Sequence, residues 1–504
     1  MNGPVSDDLR RAVAGTLLPG FVGTTLPSWL ERRLRDGLGG VCLFGQNIES
    51  VEQVRRLTDA IRAANPDAVI AIDEEGGDVT RLHYATGSPY PGNAVLGRHD
   101  AESYTESIGR RVGQELRRAG CTLDFAPDAD INSNPDNPVI GVRSFGASTE
   151  LTARHAAAWT RGLQSAGVAA CAKHFPGHGD TAQDSHLALP EIGLGLDRLR
   201  ERELVPFRAV IEAGVRAVMT SHILLPEVDP ENPATFSPRI IEGLLRDELG
   251  FTGLVVTDAL DMHGASGVRG IPEAAVLALA AGCDLLCIGT ENTDEQLETI
   301  EDAVLEAVHD GRLPASRIAE AAARVRGLAA EAVDDPEDEP APEGDGGSVL
   351  EPDDIAVALS TFDVSPVARE WLARHRDDYS VACVDTVANI AVGLAPWGPF
   401  AEAAAAPDSA AARAFRRRPL IVVGEGEHAE RALDPGSPVL VIGKDNHRHP
   451  FARAVIDALR SAGADVLVVD MGWVGADRSY ADIATFGASR LVGRALLELL
   501  GPDS

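Results

Sequence analysis

Fourteen residues, Lys173 to His186 (KHFPGHGDTAQDSH), concentrate side chains able to do chemistry. They hold three of the thirteen histidines, several glycine and proline turn-formers, and an Asp-x-His pair, Asp184 and His186. Asp and His two positions apart on a loop can bring carboxylate to imidazole, which orients the ring and raises its basicity. Such a pair is suited to moving a proton. Metal ligation by His174, His178 and His186 is the competing chemistry. Lys173 argues against it, because it would place a second cation in the same shell. Of 45 basic residues only Lys173 and Lys444 are lysine. In a chain so biased toward arginine, a retained lysine marks a place that needs a compact ammonium.

The elements that must position these groups are short apolar runs alternating with amphipathic helical stretches from Thr16 to Ala330. The runs are Leu17–Phe21, Gly40–Phe44, Val69–Ile72, Thr122–Phe125, Val168–Ala172, Ala217–Ser221, Leu254–Thr257 and Asp284–Ile288. Most are continuously apolar, as strands covered on both faces should be. Helical spacing fills Val51–Ala64, Ala101–Ala119 and Thr152–Ala166. Eight strands alternating with helices over about 300 residues is the rhythm of a (β/α)₈ barrel; a doubly wound open sheet is the other layout this rhythm allows. In a barrel, catalytic groups emerge where strands end. The third run leads into Asp73-Glu74-Glu75-Gly76-Gly77, the fourth into Asp124 to Asp128 with Arg143 further on, and the fifth into Lys173–His186. The sixth ends in Ser221-His222 and the seventh in Thr257-Asp258. Any one of these acids alone reads as a helix cap or strand end; a polar or ionisable group at nearly every strand end does not.

At 504 residues two domains are expected. Asp334 to Asp354 carries ten acids, four prolines and no base, so it reads as a solvated linker. The expected domains are therefore a barrel over 1–333, a linker over 334–354 and an α/β sandwich over 355–504. Strand-like runs in the last part are Ile355–Ser360, Ser380–Cys383, Leu420–Val423, Val439–Ile442 and Ala464–Val469, with helical spacing at Ala452–Gly463 and Ile483–Leu500. Its VVGEGE stretch, Val422–Glu427, lacks the glycine spacing of a dinucleotide fingerprint. The net charge of −32 argues against nucleic-acid or anionic-membrane partners. No run approaches the length of a membrane span. The six scattered cysteines lack zinc spacing and are expected to be buried free thiols. The N-terminal residues do not have the layout of a secretory signal, so a cytoplasmic location is expected.

The segments KHFPGHGDTAQDSH, AIDEEGG, VRSFG and VVTDALDM, in that family's order, resemble family 3 of the glycoside hydrolases, in its β-N-acetylhexosaminidase branch. The resemblance runs from about Phe21 to Gly289. It implies a (β/α)₈ barrel followed by an α/β sandwich, and a retaining β-N-acetylglucosaminidase. By motif, Asp258 would be the nucleophile, His186 the acid/base and Asp184 its partner. Asp73, Arg81, Arg143, Lys173 and His174 would bind the sugar. One position departs: after Gly76-Gly77 the family commonly has arginine and this chain has Asp78, a charge reversal that bears on the outer subsite. No metal and no cofactor are implied; the partner is a small glycoside or oligosaccharide. An imidazole, unlike a glutamate, would not repel phosphate once it has given up its proton. A phosphorylase is therefore the alternative to a hydrolase, and a non-catalytic sugar-binding barrel the remote one.

Overall fold

The eight apolar runs of the first half form eight strands: β1 (Leu17–Pro19), β2 (Gly40–Leu43), β3 (Val69–Ile72), β4 (Leu123–Asp124), β5 (Ala169–Phe175), β6 (Ala217–Thr220), β7 (Leu254–Val256) and β8 (Leu286–Gly289). They belong to a computed structural model that describes residues 7–181, 189–267, 269–331, 350–376, 378–386, 391–426 and 436–501. Strands β2 to β7 make one parallel sheet in chain order, and β1 pairs with β8. A parallel bridge from Val256 to Leu285 joins β7 to the run entering β8, and the Gly39 N–H donates to the Ala14 carbonyl between β1 and β2. The ring is a (β/α)₈ barrel, as expected.

Alternate strand residues fill its interior, including Val69 and Ala71, Leu123 and Phe125, Ala169 and Cys171, Ala217 and Met219, and Leu254 and Val256. This is the period-two layering that a closed barrel demands. Helices such as Val51–Ala64 and Glu102–Ala119 follow the strands. Ser50 accepts the Gln53 N–H at the start of the former, a side-chain cap that fixes where that helix begins.

Contacts divide the chain into two units. The first takes Met1–Glu74, Glu102–Ser133 and Ala147–Gly346; the second takes Gly347–Ser504 together with Glu75–Ala101 and Asn134–Gly146. Two segments assigned to the barrel by sequence order therefore pack with the C-terminal residues. The second unit is built on a six-stranded sheet of β9 (Asp363–Val364), β10 (Ser380–Val384), β11 (Leu420–Val423), β12 (Pro438–Gly443), β13 (Asp465–Asp470) and β14 (Ile483–Ala484). Their order is β11-β10-β12-β13-β14-β9, with only β9 antiparallel. Apolar clusters lie on both of its faces, one around Trp371, Leu440 and Leu491, the other around Val441, Ile456 and Leu459.

One expected strand is a helix. Ile355–Ser360 belongs to the helix Pro352–Ser360, which also starts inside the expected linker. Pro352 occupies the first turn with Asp353 and Asp354, where proline's fixed φ and negative charge both favour a helix start, and Ile355 and Ala358 lie three apart on the buried face. The rest of the linker, up to residue 349, lies outside the described residues. The helical spacing over Ile483–Leu500 resolves into β14 and the helix Arg490–Leu499, whose Ser489 cap accepts the Val492 N–H. All six cysteines are free and buried, as expected. Among the described residues no helix is long and apolar enough to cross a membrane.

Where the barrel closes, the fully buried Asp284 accepts from Arg246 at 2.7 Å, Arg317 at 2.5 Å, Arg324 at 3.0 Å and the Val255 N–H at 3.0 Å. Replacing it removes the one carboxylate that these three guanidinium groups share. Asp284→Ala is expected to lower the stability of the first unit by about 3–5 kcal/mol, read as a fall in the urea midpoint of its unfolding. A change under about 1 kcal/mol would mean that the arginines find other partners.

Candidate active site

Strand β5 carries the first two site residues. Lys173 and His174 lie within it, one turn of alternation beyond the run expected from sequence. Ala172 and Phe175 on β5 face Val218 and Thr220 on β6, so β5 fits one extra residue into the ladder. Such a bulge turns a side chain that strict alternation would aim elsewhere. It falls on the Lys-His pair.

Lys173 is 2% exposed, and its Nζ donates to Asp73 Oδ1 at 2.7 Å. Asp73 follows β3 directly, so the pair spans two strand ends. Its main chain is fixed as well: the Lys173 N–H donates to the Pro127 carbonyl at 3.1 Å and its carbonyl accepts the Ala129 N–H at 2.6 Å. His174 Nδ1 lies 2.6 Å from Asp130 Oδ2, and Asp130 Oδ1 accepts the His178 N–H at 2.6 Å. Asp258 follows β7, partly buried, with Oδ1 accepting the Ala259 N–H at 2.8 Å. Next to that turn, His222 bonds Thr235 Oγ1 at 2.9 Å and the Ala259 carbonyl at 3.0 Å.

Electrostatics ties these groups to one end of the barrel. Burial holds the Cys171 thiol well above its usual range; Lys173 pulls it down, while Asp124, Asp73 and Asp258 push it further up. His178, edge-on to His174 at 5.9 Å, is lowered to about 4 by burial and by the neighbouring His174, so it is neutral at pH 7. Asp128, Asp130 and His174 bring possible ligand atoms within 4.8 Å of one another. Asp130, however, is engaged by N–H donors on both oxygens, and His174 Nδ1 is one of them. The trio reads as a hydrogen-bonded cluster, and a cation would have to break it.

Asp184 and His186 lie outside the described residues. What precedes them is anchored: Asp180 Oδ2 accepts from Arg202 at 2.6 Å, and Arg202 also pairs with Glu203 at 2.6 Å. Glu203 is 2% exposed and its Oε2 has no hydrogen-bond partner among the described residues. Burial pushes it up to about 7 against the pull of Arg202.

Arg81 and Arg143 belong to the second unit. Arg143 grips Glu75 with two bonds, at 2.7 and 3.0 Å, and Arg81 donates to the Ala391 carbonyl at 2.7 Å. Asp78 is in the same unit, its carboxylate accepting the Ala488 N–H at 2.7 Å. Burial raises its pKa, and the Lys444 charge opposes that. The departure from the family's arginine thus fastens a loop to the C-terminal residues. Sequence reasoning missed Glu75 and Asp130 as partners. Glu75 was visible as the second acid after Asp73, and Asp130 as an acid two beyond the strand-end Asp128.

The glycosyl hydrolase family 3 N-terminal domain profile matches residues 27–328. The chain is similar to beta-hexosaminidase A of Pseudoalteromonas piscicida, at 34% identity over 331 residues. That match spans 60% of this chain and about half, 55%, of the relative. A beta-hexosaminidase of Neisseria gonorrhoeae is 40% identical over 266 residues, 51% of this chain and 73% of the relative. Over nearly the full length the fold matches a glycoside hydrolase family 3 beta-N-acetylglucosaminidase from Paenibacillus. That match has a TM-score of 0.82 and 30% identity, and covers 98% of this chain and 96% of that one.

Glu203 gives the site's surroundings a pH signature. A carboxyl held at about 7 in the fold, against an ordinary 4.5, weakens the fold as it ionises. Its contribution is intact below about pH 4.5 and lost as pH rises toward 7. Glu203→Gln removes that loss, so its stability relative to the parent should rise between pH 4.5 and 7 by on the order of 3 kcal/mol and then level off. Denaturant unfolding at several pH values measures it; a difference that stays flat with pH contradicts the shift.

Proposed function

The chain belongs to glycosyl hydrolase family 3, and from that premise we propose that it is a retaining β-N-acetylglucosaminidase, releasing terminal N-acetyl-β-glucosamine from small glycosides or oligosaccharides. The observation that carries the reading is the buried Lys173–Asp73 pair at 2.7 Å on the strand ends, with His174 beside it in β5. A sugar offers hydroxyls that both donate and accept. Asp73 supplies acceptors, Lys173 donors, and each is held before substrate arrives, which lowers the ordering cost of binding. The beta-hexosaminidase relatives and the Paenibacillus structure support the choice of sugar.

In this mechanism a carboxylate oxygen of Asp258 attacks the anomeric carbon as the glycosidic C–O bond breaks. The departing oxygen takes a proton from His186, whose imidazolium Asp184 stabilises. The product is a glycosyl ester on Asp258. Neutral His186 then removes a proton from water, which attacks the same carbon, breaks the ester and regenerates the Asp258 carboxylate. Two inversions give net retention. A cytoplasmic setting belongs to the same proposal: six free thiols suit a reducing compartment.

The test is turnover of an aryl N-acetyl-β-glucosaminide in phosphate and in a non-nucleophilic buffer of equal ionic strength. Free N-acetylglucosamine at the same rate in both is expected; the sugar 1-phosphate as main product would make the chain a phosphorylase. Asp258→Ala should abolish turnover in a folded chain, and an activated fluorosugar should label Asp258. A label on Asp73 or Asp128 would overturn the assignment.

His186→Ala should cost about 10²–10⁴-fold on substrates with basic leaving groups and far less on nitrophenyl sugars, which need no proton. An equal loss across leaving groups would mean that His186 positions the sugar without donating a proton.

A further inference from the structure

Strand β5 offers two neighbouring polar side chains, and each is held by an aspartate from an earlier strand end. For Lys173 the holder is Asp73. For His174 it is Asp130, a residue with no part in the chemistry described so far. Asp130 is fully buried, in the segment after β4. Its Oδ2 lies 2.6 Å from His174 Nδ1, both its oxygens lie 3.3 Å from the His174 N–H, and Oδ1 accepts the His178 N–H. Its own N–H donates to Asp128 Oδ1 at 2.9 Å. The packing around it is close: a Cβ on Gly179 would lie 1.6 Å from the Ile131 carbonyl oxygen, so residues 128–131 and 173–179 lie back to back with Asp130 between them.

We propose that Asp130 is the positioning residue for His174, fixing both the ring's orientation and the nitrogen that carries its proton. A carboxylate cannot donate, so Nδ1 must, and the proton is on Nδ1. Nε2, on the far side of the ring from Asp130, then has its role set before a sugar arrives. Without the carboxylate the proton is no longer pinned and the ring turns about χ2. The charge matters as much as the shape: a bond to an ionised acceptor is about twice as strong as a neutral one. Asp130 itself is held below its usual range, because its bonds to the His174 ring and the His178 N–H help to outweigh the cost of burial, so the carboxylate stays ionised.

This inference rests on the glycosidase reading for its kinetic arm only. The experiment is a double-mutant cycle of Asp130→Asn and His174→Ala, with KM and kcat measured on an aryl N-acetyl-β-glucosaminide, alongside ¹⁵N spectra of the His174 ring. In the parent background D130N should raise KM about tenfold or more with a smaller change in kcat. In the His174→Ala background it should change KM by less than about twofold, because the two act as one unit. The parent spectra should show a protonated Nδ1, and D130N should move or average that signal. A D130N effect on KM of equal size in both backgrounds, or a parent ring protonated only at Nε2, overturns the proposal. Should D130N not fold, Asp130→Glu is put through the same cycle, with KM moving only when His174 is present. The spectra need no turnover, so they decide the role of Asp130 even if the sugar proves to be a different one.

Discussion

An ammonium taken out of water is the constraint from which the rest of the barrel's architecture follows. Lys173 is almost wholly buried, and such a charge costs several kcal/mol unless an opposite charge meets it in good geometry. Asp73 does so, but it comes from the end of another strand. The pair therefore requires β3, β4 and β5 to end at one level, and the bulge in β5 to fall where it does. The bonds from Lys173 to Pro127 and Ala129 lock the main chain that carries it. His174 and Asp130 repeat the arrangement one residue along. The barrel supplies what the pairs need: strands whose registry is fixed all round the ring.

Apolar patterning made the fold legible. All eight barrel strands were visible as short runs, most of them continuously apolar, because strands buried on both faces leave little polar alternation to confuse them. Periodicity failed where a run was short and mixed. Ile355–Ser360 looked like a strand, yet Pro352 and two acids in its first turn make it a helix. The bulge in β5 was hidden, since nothing in the types of Lys173 and His174 says that the ladder slips there. Among site residues, those following strands stood out by position. Their partners did not: Asp130 and Glu75 act through bonds to residues 44 and 68 positions away. No spacing rule reaches that far.

Asp78 shows that a departure from pattern can have a structural side that chemistry alone does not reveal. A reversed charge beside a motif suggests an altered subsite. In the fold its carboxylate also satisfies the Ala488 N–H, in the unit that also takes Glu75–Ala101 and Asn134–Gly146. Arg81 and Arg143 are held within that unit too, one by a carbonyl and one by Glu75. The loops that carry two of the five expected sugar-binding residues thus pack with the C-terminal residues, which gives that unit a structural task whatever else it does.

The scarcity of lysine has a practical consequence. The chain has two side-chain amines, Lys173 in the first unit and Lys444 in the second, exposed by 2% and 9%. The first is paired with Asp73, and the second lies 4.9 Å from the Trp397 ring. Every other side-chain cation is a guanidinium or an imidazole, which acylating reagents leave largely untouched. A reagent specific for amines therefore finds almost nothing to modify on the folded surface. Reaction at either position reports on the surroundings of that one amine, so the chain carries one built-in footprinting probe for each of its two parts.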